Sequence, residues 1–107
     1  MTVIDVLEDM LAERRYGDPD KSYVSKLHHK GLDHILKKVG EDATEVVMAA
    51  KDSAPSEKNE DVIHEVADLW FHTLVLLSHL EEPPSAVLDE LELRLGYTKQ
   101  LNNRDHP

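Results

Sequence analysis

Cysteine is absent from this chain of 107 residues. That absence excludes a disulfide framework, gives no sign of redox work and makes zinc a poor candidate metal. Also missing is any apolar run long enough to cross a bilayer, since the longest, Leu69 to Leu77, is broken by His72 and Thr73. No signal peptide is visible, and a soluble cytoplasmic protein is expected. Basic charge is scarce: 12 Lys and Arg against 22 Asp and Glu leave a formal net charge of −10. Duplex nucleic acid is therefore not an expected partner, because binding it draws on clustered cations to displace counterions. Strand alternation, internal repeats and low-complexity tracts are lacking too. A chain of this length makes one domain, small enough that a homodimer would help bury apolar surface.

What the sequence does hold is acid, arranged at helical spacing. At about 100° per residue, Glu41, Asp42 and Glu45 fall on one narrow stripe. Asp61, Glu65, Asp68 and His72 make a second stripe on a segment whose remaining surface is Val66, Ala67, Leu69, Trp70, Phe71, Leu74 and Leu77. A helix apolar nearly all round is normally buried. A buried carboxylate must be paired, hydrogen-bonded or bound to metal, and no Lys or Arg occurs between Lys58 and Arg94 to neutralise this one locally. Hard oxygen donors favour magnesium, manganese or calcium. The seven histidines show no His-x-x-x-His pair, and only Asp61-x-x-His64 approximates the repeat of a di-iron bundle.

The rest of the chain reads as helices. Thr2 is a candidate cap for a first helix that ends near Arg15, and Tyr16 to Lys21 is a break. Ser22 can cap a short second segment to about Lys30, after which Gly31 permits a bend. The next helix has Ile35, Leu36, Val39, Ala43, Val46, Val47 and Ala50 as its apolar face, with Gly40 inside it. Asp52 to Asn59, which contains Pro55, is expected to be a loop between antiparallel helices. Such a hairpin places Glu45 and Glu65 at comparable heights, so that the two acidic stripes face each other. Pro83-Pro84 ends the following helix, and Ser85 starts another with Val87, Leu88, Leu91 and Leu95 as core positions. The expected fold is all-α, a bundle of four to five helices around a central antiparallel hairpin. The domain is expected over residues 1–96, with a C-terminal tail over 97–107.

The runs Ser22-Tyr-Val-Ser-Lys-Leu27, Lys30-Gly-Leu-Asp33, Lys37-Lys-Val-Gly-Glu-Asp-Ala-Thr-Glu-Val-Val47, Ala49-Ala-Lys-Asp52 and Glu65-Val-Ala-Asp-Leu-Trp-Phe-His72 together resemble the phosphoribosyl-ATP pyrophosphatases of histidine biosynthesis. The resemblance covers about residues 3 to 95. The acidic skeleton alone is shared more widely, by all-α nucleotide pyrophosphohydrolases related to the MazG proteins. The resemblance implies magnesium-dependent hydrolysis of the α,β phosphoanhydride of phosphoribosyl-ATP, giving phosphoribosyl-AMP and pyrophosphate, and it implies a dimer.

By that resemblance Glu41, Asp42, Glu45, Glu65 and Asp68 are the metal-site positions. Asp42, Glu45, Glu65 and Asp68 are expected to hold the metal, two from each helix, with Glu41 orienting or deprotonating the attacking water. The family pattern usually has glutamate where this chain has Asp42, and the shorter arm leaves room for a longer contact or an intervening water. Ser22, Tyr23, Lys26 and Lys30 lie in the portion that looks like the substrate-binding segment, and Lys38 sits one turn before Asp42. All five are expected to bind phosphate or ribose. His72, one turn beyond Asp68, is placed to support a metal-holding carboxylate by hydrogen bonding. His28, His29 and His34 carry no assignment. Trp70 and Phe71 are expected in core or dimer packing.

Two other readings use the same residues. One is a house-cleaning nucleoside triphosphate pyrophosphohydrolase with a different base or sugar pocket. The other is a non-catalytic helical dimer that binds metal structurally.

Overall fold

The computed structural model describes residues 2–56 and 58–100, with backbone alone over 97–100. Its elements are five helices: α1 Val3–Arg14, α2 Tyr23–Lys30, α3 Leu32–Ser53, α4 Glu60–His79 and α5 Ser85–Gln100. The fold is an all-α bundle.

Local chemistry sets the breaks. Thr2 and Asp5 form a reciprocal capping box at the start of α1, and Ser22 caps α2 by accepting the Ser25 N–H. Between α1 and α2 the chain passes so close to α2 that a Cβ on Gly17 would lie 2.5 Å from Ser25 Oγ. That hydroxyl donates to the Arg14 carbonyl at 2.8 Å, tying the end of α1 to α2. Gly31 joins α2 to α3 at φ 98°, ψ −178°, a region open in practice only to glycine. At the far end of α4, Arg15 donates to the His79 carbonyl at 3.2 Å and pairs with Glu81 at 3.2 Å, a cation at the negative helix terminus.

The most extensive helix contact is the antiparallel hairpin of α3 and α4. Its open end, near the connecting turn, carries the acidic stripes. Its other end is closed by α1 and α2, where Leu11, Val24, Leu27, Ile35, Leu74 and Val75 form the buried core. Phe71, Leu7 and Met10 pack against that core. The site is thus held from one end by a packed cluster and left accessible at the other.

Several sequence expectations change here. Helix α3 runs to Ser53, two residues into the expected loop, so the turn proper is shorter. Of its apolar face, Ile35 is buried and Val39 and Val46 half-buried, whereas Leu36, Ala43, Val47 and Ala50 are exposed. The apolar α4 is not enclosed either: Ile63 is 67 % and Trp70 64 % exposed. Val87, Leu88, Leu91 and Leu95 are exposed rather than core, because α5 packs on α1 alone among the described helices and leaves its apolar residues along an open groove. Helix α5 also continues through Gly96 to Gln100, past the expected start of the tail, and residues 101–107 lie outside the described residues.

Candidate active site

Antiparallel packing of α3 on α4 brings the two acidic stripes together at paired heights. Near the open end, the carboxyl groups of Glu45 and Glu65 come within hydrogen-bonding reach of each other. Two carboxylates share such a contact only when a proton lies between them. The Glu65 pKa is accordingly raised, first by that bond, then by desolvation and by the charges of Glu45 and Asp68, with His64 opposing. Glu65 Oε2 is sealed from solvent with no hydrogen-bond partner.

One turn on, Asp68 lies beside His64, whose Nε2 is 3.4 Å from Asp68 Oδ2. Donor atoms of His64, Glu65 and Asp68 all fall within 4.8 Å of one another, a spacing that suits a shared cation. Among the described residues no Lys or Arg forms an ion pair with Glu45, Glu65 or Asp68. The donors present, carboxylate oxygens with one imidazole at the edge, fit a hard divalent metal. The crowding of Glu45 on Glu65 is what such a metal would relieve.

Deeper in the hairpin the acid is already partnered. Asp42 is buried, and its Oδ2 meets His72 Nδ1 at 2.5 Å. The same nitrogen lies 3.1 Å from the Asp68 carbonyl, and His72 Nε2 lies 2.7 Å from the Tyr23 hydroxyl. Since both neighbours of Nδ1 are acceptors, Nδ1 carries the hydrogen, and in the neutral ring Nε2 accepts from Tyr23 O–H. Burial, then the charges of Asp42 and Asp68, raise the Tyr23 pKa and keep the phenol protonated. Its ring also stacks on Phe71, with centroids 6.4 Å apart.

Glu41 is exposed on α3 and lies within electrostatic reach of His34. Desolvation first, then the charges of Lys30, Lys38 and Lys37 around it, lower the His34 pKa, while Glu41 opposes them. Lys30 and Lys38 therefore share a basic edge beside the acidic stripe. Lys26 is exposed on α2, and the Ser22 hydroxyl is engaged in capping that helix.

A groove of about 720 Å³ opens from Glu45 and Glu65 toward the α3–α4 turn, walled by Met48, Ala49, Ser53 and Ser56. Of the residues that define this site, His64 carried no assignment from sequence. Its signal is the i, i+4 spacing to Asp68, whereas the sequence reading sets His64 only in Asp61-x-x-His64. The Tyr23–His72 contact had no sequence signal, because 49 residues separate the partners.

The described helices include none long and apolar enough to cross a membrane. Residues 4–94 match the family model described as phosphoribosyl-ATP pyrophosphohydrolase. With that match spanning most of the chain, and with the acidic hairpin it covers in place, the chain belongs to the phosphoribosyl-ATP pyrophosphohydrolase family and is a hydrolase of histidine biosynthesis acting on phosphoribosyl-ATP.

Proposed function

We propose that magnesium serves this hydrolase, held by Glu45, Glu65 and Asp68 with the free oxygen of Asp42, and with His64 at the edge of the site. The observation that carries this reading is the carboxyl pair of Glu45 and Glu65, forced together without a basic partner. A metal held by these residues would neutralise charge that develops on the leaving pyrophosphate as the anhydride opens.

The chain's own residues supply the remainder. Glu41, exposed at the edge of the stripe, takes the proton of the attacking water as oxygen adds to phosphorus and the bond to pyrophosphate breaks. Lys30 and Lys38, with Lys26 on the neighbouring helix, attract the substrate phosphates that an acidic stripe alone would repel. Ser22 shapes this segment through its cap, which sets the direction of α2.

The working form is a homodimer. Val47, Met48, Ile63 and Trp70 are each more than half exposed on the hairpin. An open apolar groove of about 400 Å³ runs between Trp70 on α4 and Leu88 and Leu91 on α5. Apolar surface of this extent is commonly covered by a partner, and a second copy is the occupant we assign. The enzyme is placed in the cytoplasm and takes no nucleic acid, in keeping with its net charge of −10.

The deciding experiment is pyrophosphate release from phosphoribosyl-ATP with and without magnesium, beside ATP and deoxynucleoside triphosphates, repeated with Glu65→Gln. Magnesium-dependent turnover lost in the variant is expected. Full turnover in a chelator would overturn the metal assignment. Light scattering on the eluting protein reads the dimer directly.

A further inference from the structure

Asp42, buried deeper in the hairpin than the His64, Glu65 and Asp68 cluster, is held through a chain of contacts. His72 holds the Asp42 carboxylate from α4, and Tyr23 holds His72 from α2, at 2.5 and 2.7 Å respectively. A histidine ring can flip, which puts a carbon in the place of each nitrogen, or move its proton from one nitrogen to the other by tautomerisation. Here both exchanges are opposed. Nδ1 faces the carboxylate and the Asp68 carbonyl, which need a donor, while Nε2 faces a phenol that has a hydrogen to give.

We propose that Tyr23 is a positioning residue, which acts through His72 to fix the direction of the Asp42 carboxylate at the metal site. The proposal rests on the reading of Asp42 as a metal-holding residue. It gives Tyr23 a different task from gripping substrate, since its hydroxyl hydrogen is engaged by the imidazole. It also explains how an aspartate, with its short arm, is held steady at this place. The carboxylate is clamped on one oxygen, Oδ2. The ring of Tyr23, stacked on Phe71 at the edge of the core, anchors the clamp to the packed end of the molecule.

Tyr23→Phe keeps the ring and its stacking and removes only the hydroxyl. Nitrogen-15 spectra of the metal-free protein should show His72 protonated on Nδ1 alone in the parent, and a mixture of ring forms in Tyr23→Phe. The magnesium concentration for half-maximal activity should rise about 10- to 100-fold, while kcat recovers and KM for phosphoribosyl-ATP is unchanged at saturating magnesium. His72→Gln should show the same loss, and adding Tyr23→Phe to it should do nothing more, because the two act in series.

An unchanged His72 spectrum in Tyr23→Phe would overturn the proposal. So would a rise in KM alone, or losses that multiply in the double variant. If His72→Gln does not fold, the spectrum and the magnesium titration of Tyr23→Phe decide by themselves. Asp42→Asn separates the two layers: if it leaves magnesium dependence intact while Tyr23→Phe still alters the His72 ring, Asp42 is not a metal-holding residue. The positioning role at the metal then falls with it.

Discussion

Glu45 and Glu65, one on each arm of the hairpin, bring within hydrogen-bonding reach of each other two carboxyl groups that would repel if both were ionised. The packing of α3 on α4 holds them there, so the fold stores a repulsion at the place where a cation is useful. Metal should therefore stabilise the protein. At a magnesium concentration about 100 times Kd the gain is about 2.7 kcal/mol, and thermal melts with magnesium or chelator read it. Glu65→Gln should lose most of that gain, and at least about 100-fold in turnover, while melting no lower than the parent in chelator. A magnesium-dependent shift that survives the substitution would place the metal elsewhere.

The same pair sets a pH dependence. Because the folded protein holds the Glu65 proton more tightly than the unfolded chain does, its contribution to stability is full below the ordinary glutamate range. That contribution is lost as pH rises through the raised value. In chelator, stability should fall across that window, and Glu45→Gln should flatten the fall by removing the first cause of the shift. Magnesium competes with the proton, so its affinity should rise over the same pH range. Calorimetric titration at several pH values measures this.

A second pH effect has the opposite sign. His28 is buried with its Nδ1 3.1 Å from His79 Nδ1, so one ring must donate and the other accept, and the pair excludes double protonation. Burial first, then His79 and Arg15, lower the His28 pKa. A depressed folded value gives stability that is present above about pH 6.5 and lost as pH falls through the folded value. Urea unfolding between pH 7.5 and 5 should show the decline, and His28→Leu should reduce it. These histidines lie at the core end of the bundle, so magnesium should leave this limb of the profile unaltered.

Core and turn positions should separate cleanly. Ile35 is fully buried between α3 and the closing helices, and Ile35→Ala should cost about 2–5 kcal/mol. Gly31→Ala meets no neighbour within 4 Å but must adopt φ 98°, and should cost about 1–3 kcal/mol through backbone strain alone. Denaturant titrations with unchanged slope would confirm that both act on the folded state.

Val47 and Trp70 report on assembly. Replacing either exposed side chain with lysine should leave secondary structure intact and shift the light-scattering mass toward that of one chain. If the mass stays unchanged for both, the exposed hairpin face is not the dimer contact.

Much of this architecture was legible from local rules. Thr2, Ser22 and Pro83-Pro84 mark helix ends by chemistry confined to a few neighbouring residues, and the structure places helix boundaries beside each. The facing of Glu45 and Glu65 was also readable, because a short turn leaves two antiparallel helices little choice of register. Periodicity misled where it was asked about burial. Val87, Leu88 and Leu91 have core spacing, yet a helix pattern says which face is apolar and nothing about what covers it.

What the sequence by itself determined is the helical class, the order of elements and the acidic chemistry of the two stripes, since each rests on residue type and short-range spacing. Only the tertiary structure decided that Asp42 is clamped by His72, that Tyr23 reaches across from α2 to hold that histidine, and that His64 joins Glu65 and Asp68. The first two join residues 30 and 49 positions apart, and the third depends on rotamers within one helix. Such contacts follow from how α2, α3 and α4 pack, and packing is settled by the whole core at once.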